Sequence, residues 1–259
     1  MNYEDFYAVL NPLTKALRGA CSAADKNGKR TVADAENGNL ADLARVMEDV
    51  EKNITAQQGA LAALREAFDS FDNPAYFAQG DFERQMLEAC EALGIDVKTL
   101  DAGNYEMFPY SVKVNAERQE ITVSRKKVPT ARPSWFAKYI HDNLEKLNKA
   151  GFNDESFAKE LSEAYQTALA VSGKPAGTAI PLVTIYKYLA PTSRARKEYD
   201  MMSFSFDIAR LYNRHYTRLK DGSSLILGPG KKGRPIRILD ANGREQLLVT
   251  LAIFGEEQT

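Results

Sequence analysis

Two histidines and two cysteines are all that the 259 residues hold of the side chains most used for metal and redox work. His141 precedes Asp142 and stands one helical turn before Glu145, a grouping that can hold a proton, but no His-Glu-x-x-His pair accompanies it. Cys21 and Cys90 lack the Cys-x-x-Cys spacing of a thiolate site, and an isolated pair of thiols fits a reducing compartment. The run Gly228-Pro229-Gly230-Lys231-Lys232-Gly233 has the composition of a phosphate cradle without the four-residue gap and closing Lys-Ser/Thr of a P-loop. No Gly-x-Ser-x-Gly elbow presents a nucleophilic serine. Asp240 and Glu245 could serve a metal nuclease from adjoining strand ends, yet their Asn-Gly setting is explained by turn geometry. No catalytic residue, metal site or cofactor is indicated, and the chain reads as non-catalytic; an enzyme whose site no motif reveals is the remaining alternative.

Charge carries more. Residues 181–259 hold 13 Lys and Arg against 8 Asp and Glu, whereas residues 1–180 hold 21 against 27, so a near-neutral total hides a basic module on an acidic body. Arg210, Arg214, Arg218 and Lys220, followed by Lys231, Lys232 and Arg234, are the side chains that attract nucleic-acid phosphate and make binding salt-sensitive. An ordinary solvated face and a protein-docking face are the competing readings. Base specificity is not visible.

With 44% hydrophobic and 27% charged residues the chain can bury one large core or two modest ones. No apolar run reaches the roughly 18 residues of a membrane span, and Met1 to Leu10 lacks the regions of a signal peptide, so a soluble, cytoplasmic protein is expected. Tyr3, Phe6, Leu10, Leu13 and Leu17 predict a first helix, with Pro12 as a fault in it, and Gly19 to Gly38 reads as a small, polar loop. Leu40, Leu43, Met47, Val50, Ile54, Leu61, Leu64, Phe68 and Phe71 then follow a three-four alternation broken only at Gln57, capped by Asn39, with Val46 the one large apolar residue off the seam. A period of 3.5 belongs to helices that wrap another helix. Either the first helix returns antiparallel as that partner, or Leu43, Met47, Val50, Ile54, Leu61 and Leu64 hold a helix of another protein.

A helix from Gly80 to Leu93 follows, with Cys90 on its apolar stripe. Tyr110, Val112 and Val114 alternate and are answered by Ile121 and Val123, which predicts a β-hairpin needing further cover, and Arg125, Lys126 and Lys127 at its exit read as edge protection. Helices are expected from Pro133 and from Asn153, then a connector, Ser172 to Thr178, taken as a boundary. Beyond it come a short helix, Pro181 to Leu189, a helix capped by Ser203, and strands Arg218 to Leu227, Arg234 to Asp240 and Glu245 to Phe254, with Asp240 to Gly243 as a tight turn. The fold class is α+β in three parts: a helical region 1–100, a hairpin-and-helix layer 101–175 and a basic winged-helix-like module 176–259.

The segments Leu40 to Phe71, Tyr110 to Val123 and Ser203 to Phe254 together resemble the kleisin or kite type of accessory subunit. The phrase Phe108-Pro109-Tyr110-Ser111-Val112-Lys113-Val114 followed by Arg132-Pro133-Ser134 resembles small subunits of Lamassu-like anti-phage systems built around an SMC-like ATPase. That resemblance covers less than half the chain and carries no diagnostic motif. It implies no catalysis here, a large coiled-coil ATPase partner and a nuclease effector beside it; double-stranded DNA is the partner the basic side chains suggest, and no membrane is expected. An autonomous winged-helix DNA-binding regulator is the alternative, which would form a two-fold dimer and leave a sequence-dependent footprint.

Overall fold

Helix α1 spans Tyr3–Glu36 without interruption, so the segment Gly19 to Gly38, expected as a loop, is helix for nearly its whole length. Past Leu17 the inward positions continue at the same spacing as Ala20, Ala24, Asn27, Thr31 and Asp34, which are small or polar and leave no apolar pattern to read. Gly19 and Gly28 each weaken an isolated helix by about 1 kcal/mol relative to alanine, so packing must hold this half. Pro12 stays inside α1 on its exposed side. Asn2 caps the start by accepting from the Glu4 and Asp5 N–H groups. Gly38, at φ +71°, turns the chain into helix α2, Leu40–Asp69, whose cap is Asn39 as expected.

The structure is a computed structural model that describes residues 2–149, 151–230, 235–239 and 244–255. Two units divide it: one takes in the chain up to Leu93 with Val114–Ile121 and Lys127–Ala137, the other Gly94–Lys113, Thr122–Lys126 and the chain from Lys138 onward.

In the first unit α1 and α2 form an antiparallel hairpin. Gln57 Nε2 donates to the Ala20 carbonyl at 3.3 Å, and Phe6 stacks on Phe71 with ring centroids 4.2 Å apart. Helices α3, Asn73–Ala78, and α4, Asp81–Ala92, bury Tyr76, Phe77, Phe82, Met86 and Cys90. Those rings join Tyr3, Phe6, Phe71 and Phe136 in one aromatic cluster, edge-on and offset as their quadrupoles prefer.

The expected hairpin is present as β3, Tyr110–Asn115, and β4, Glu120–Val123, and it belongs to a larger meander. Strands β1, Lys98–Asp101, and β2, Asn104–Met107, precede it and β5, Lys126–Val128, follows, in the order β1-β2-β3-β4-β5. Ser124 and Arg125, both at positive φ, make the tight turn before β5.

The second unit contains most of helix α5, Pro133–Lys149, and helix α6, Asp154–Ser172. After these come β6, Ile180–Pro181, helices α7, Leu182–Leu189, α8, Ala195–Glu198, and α9, Met201–Asn213, and strands β7, Ser224–Gly228, β8, Ile236–Leu239, β9, Glu245–Leu248, and β10, Thr250–Phe254. Asp200, not Ser203, caps α9, because its carboxylate accepts from the Met202 and Ser203 N–H groups. The expected strand from Arg218 shortens to β7, and the last expected strand divides at Val249, whose N–H donates to the Gly228 carbonyl and whose carbonyl accepts from Leu182. Strands β6, β10 and β7 pair antiparallel in that order, and β8 pairs with β9. Leu161, Tyr165, Leu182, Ile185, Phe204, Ile208, Leu225 and Leu251 share one core, so the connector Ser172 to Thr178 lies inside this unit. The turn Asp240 to Gly243 lies outside the described residues.

Candidate helical docking face

Along α2 the hairpin uses a different seam from the one its apolar spacing predicts. Among the half-buried or buried positions from Leu40 to Phe71, the series Leu43, Val46, Val50, Asn53, Gln57, Ala60, Leu64, Ala67 and Phe71 keeps a three-four spacing, with Asp42, Asp49 and Ala63 beside it. Val46, expected to be off the seam, is the only buried residue of α2, and α1 has none. The register explains the choice. Residue numbers at both anchors, Gln57 with Ala20 and Phe71 with Phe6, add to 77, which sets Ala60 and Ala67 opposite Leu17 and Leu10. Small residues on α2 thus face large ones on α1, an arrangement that lets both helices approach closely.

The expected docking set therefore divides. Leu43, Val50 and Leu64 are half-buried against α1, while Met47, Ile54 and Leu61 stand 51%, 47% and 39% exposed. Leu40 and Phe68 extend that row at 73% and 65%, so Leu40, Met47, Ile54, Leu61 and Phe68 form an exposed apolar stripe with a spacing of seven. Such a repeat follows the seam of a supercoiled helix.

The inner seam is mixed in its far half. Leu43, Val46 and Val50 of α2 meet Asp34, Thr31 and Asn27 of α1, and the Asp34 Oδ2 and Asn53 Nδ2 atoms are buried without a hydrogen-bond partner. Each orphaned group costs about 1–3 kcal/mol. The near end is firmly held instead. Arg132 pairs with Glu4 at 3.0 Å and lies 3.4 Å over the Tyr7 ring, the Ser134 N–H donates to Glu4, and the Tyr3 N–H donates to Gln85 Oε1 at 2.9 Å. Burial pushes the Glu4 carboxyl up, but hydrogen bonds from Arg132 and Ser134 outweigh it and hold the group below its ordinary value.

Of the seven basic residues singled out for nucleic acid four are described, and three of those are engaged within the second unit. Arg210 pairs with Asp207 at 3.4 Å, donates to the Leu147 carbonyl and lies over Phe206 and Phe152 at 4.6 and 5.2 Å, with only 15% of its side chain exposed. Burial raises the Asp207 carboxyl above its ordinary value, against the pull of the Tyr199 hydroxyl and Arg210. Arg214 pairs with Asp154 at 2.8 Å, and Lys220 pairs with Glu155. Arg218 is exposed; Lys231, Lys232 and Arg234 lie outside the described residues. No residue of α9 itself is exposed, as Phe108 stacks on Phe206 and Phe152 lies under Arg210, whereas Arg214 and His215 just past its end are exposed.

Sequence reasoning missed the stripe's separation from the inner seam because Leu43, Val50 and Leu64 belong to both alternations. The signal that distinguishes them is the second series Val46, Asn53, Ala60 and Ala67, which is legible only once α1 is known to continue past Leu17.

Of the chemically capable residues, His141 lies 3.6 Å from Asp142, which Lys138 also holds, and Glu245 is bound by Lys98 and Arg237. Asp240 lies outside the described residues. Burial raises the Cys90 thiol to about 11, which leaves it inert at neutral pH, whereas Cys21 is exposed. Among the described residues no three His, Cys, Asp or Glu side chains are grouped to hold a metal ion, and no helix is long and apolar enough to cross a membrane. Comparison with protein-family models, with curated proteins and with solved structures finds no match, so function is argued from the chain's own geometry.

Proposed function

We propose that this protein is a non-catalytic accessory subunit that holds a helical partner along α2, and that the partner belongs to a coiled-coil ATPase of the SMC type, acting in the cytoplasm in defence against phage or plasmid DNA. The observation that carries the docking part is the heptad-spaced stripe Leu40, Met47, Ile54, Leu61 and Phe68, exposed on a hairpin that buries only Val46 along α1 and α2. Apolar residues scattered singly over a surface need no explanation, but a row about 42 Å long at one fixed spacing does. The element order α6, β6, α7, α8, α9, β7, β8, β9, β10, with β6-β10-β7 as one sheet and β8-β9 as a hairpin between β7 and β10, supports a winged-helix reading of the C-terminal part. Its packed α9 favours a protein-docking winged helix over one that reads DNA.

The test is mass spectrometry with stoichiometry on a tagged chain purified gently from its own host, beside a variant carrying Met47→Glu and Ile54→Glu. A coiled-coil ATPase recovered in fixed ratio with the natural chain and lost with the variant, at unchanged helical circular dichroism, is the expected result. Recovery of the natural chain alone refutes the reading.

A further inference from the structure

Partner chemistry can be read one step further from the charges around the stripe, granted that α2 is a docking face. Helix α2 carries six acidic and three basic side chains. Two of the bases are spent within the helix, Arg45 on Asp42 and Lys52 on Asp49. Within α2 this leaves Glu48, Glu51, Glu66 and Asp69 outside those pairs, against Arg65 as the remaining base of the helix. Glu51 borders the stripe directly, four residues after Met47 and three before Ile54, and Glu48 stands one turn before it on the same side. Both are exposed.

Three occupants are chemically conceivable for such a face, and charge separates them. A second copy laid parallel would set Glu48 and Glu51 against their own counterparts; laid antiparallel about Ile54, it would set two helices of net charge −3 along one another. An anionic lipid surface would be repelled by the same row. A helix with its own apolar heptads and Lys or Arg at the flanking positions meets the stripe with apolar contact and the acidic border with opposite charge, as flanking residues do in setting coiled-coil partner choice.

We infer that α2 selects a coiled-coil helix with basic flanks, recognised by the apolar row from Leu40 to Phe68 and by Glu48 and Glu51. Binding would then weaken as salt rises, because the charged border is exposed. Only the first two turns after Met47 supply the selectivity; Arg65, with Glu66 and Asp69 beside it, makes the far end of α2 indifferent.

Two synthetic peptides of four heptads test this, sharing one Ile/Leu seam and differing only in having Lys or Glu at every flanking position; flanks of a single sign also keep either peptide from pairing with itself. Their binding to the full-length protein is read by fluorescence anisotropy at low and high salt. The Lys-flanked peptide is expected to bind about tenfold more tightly at low salt. Glu48→Lys with Glu51→Lys should reverse or erase that preference, and Ile54→Glu should abolish binding of both peptides. Equal binding by the two peptides, still abolished by Ile54→Glu, overturns the selectivity while leaving α2 as a docking face. Failure of both peptides with concentration-dependent dimerisation in sedimentation overturns it in favour of a second copy. Failure of both with a monomer throughout overturns this inference and the docking reading alike.

Discussion

Val46 and Met47 are neighbours in sequence and opposites in burial, at 0% and 51% exposure, so a pair of polar substitutions at these sites tests the orientation of α2 directly. Val46→Asn removes about 1.5 kcal/mol of apolar burial and leaves an amide in the seam beside groups already short of partners, for a total of about 3 kcal/mol. Met47→Gln keeps most of the side chain's length and helix propensity on a solvent-facing position, and its cost is about 0.5 kcal/mol. Amide hydrogen exchange resolves the two within α1 and α2. At about 1.4 kcal/mol per tenfold, Val46→Asn should speed exchange there by about two orders of magnitude, and Met47→Gln by about twofold. Where the far half of the hairpin has less than 3 kcal/mol in reserve, Val46→Asn unfolds it and helical circular dichroism falls instead. The order should invert for the Lys-flanked peptide, which Met47→Gln weakens. Comparable damage from both substitutions in the free protein would mean that α2 presents its other seam to α1, and the exposed stripe would then be the core.

Three further outcomes are expected. The depressed Glu4 carboxyl contributes stability that is present above its unfolded pKa and lost as pH falls through its lower folded value, so acid should loosen the near end of the hairpin; Glu4→Gln should remove that acid dependence from thermal melts taken across the carboxylate range. Arg210→Ala strips Asp207 of its counter-ion and the Phe152 and Phe206 rings of their cation, and should cost about 3 kcal/mol in thermal or urea unfolding. Unchanged stability with weakened DNA binding would restore Arg210 to the nucleic-acid surface. In the native protein a thiol reagent at pH 8 should modify Cys21 and spare Cys90, giving one rapid equivalent; two would mean that the Cys90 side of α4 opens readily.

Much of the fold was legible where side chains were apolar. The three-four spacing up to Leu17, the heptads of α2, the alternation from Tyr110 to Val123 and the face of α6 all mark real elements. What escaped was structure built from small and polar residues. The second half of α1 carries its seam on Ala20, Ala24, Asn27, Thr31 and Asp34, and β1 has no buried residue at all, so neither writes a hydrophobic period. The docking set was half legible: its spacing was visible, but Leu43, Val50 and Leu64 serve the internal seam, and only the length of α1 decides which neighbours remain exposed. The basic residues were legible only as charge. A sequence counts Arg210, Arg214 and Lys220 as positive, and only the fold shows that each has an acidic neighbour, Asp207, Asp154 and Glu155.

The hairpin has an uneven mechanical character. Its near end is clamped by seven packed rings and the Glu4–Arg132 pair, while its far end, about 50 Å away along α1, sets Leu43, Val46 and Val50 of α2 against the polar Asp34, Thr31 and Asn27 of α1. Such a rod is stiff at its root and compliant at its tip. A helix laid along the stripe would add a third strut from tip to root, so that bending imposed at the tip would reach the root as torque rather than dissipate in the seam. Occupancy of α2 would thereby set how much of a partner's movement this chain transmits.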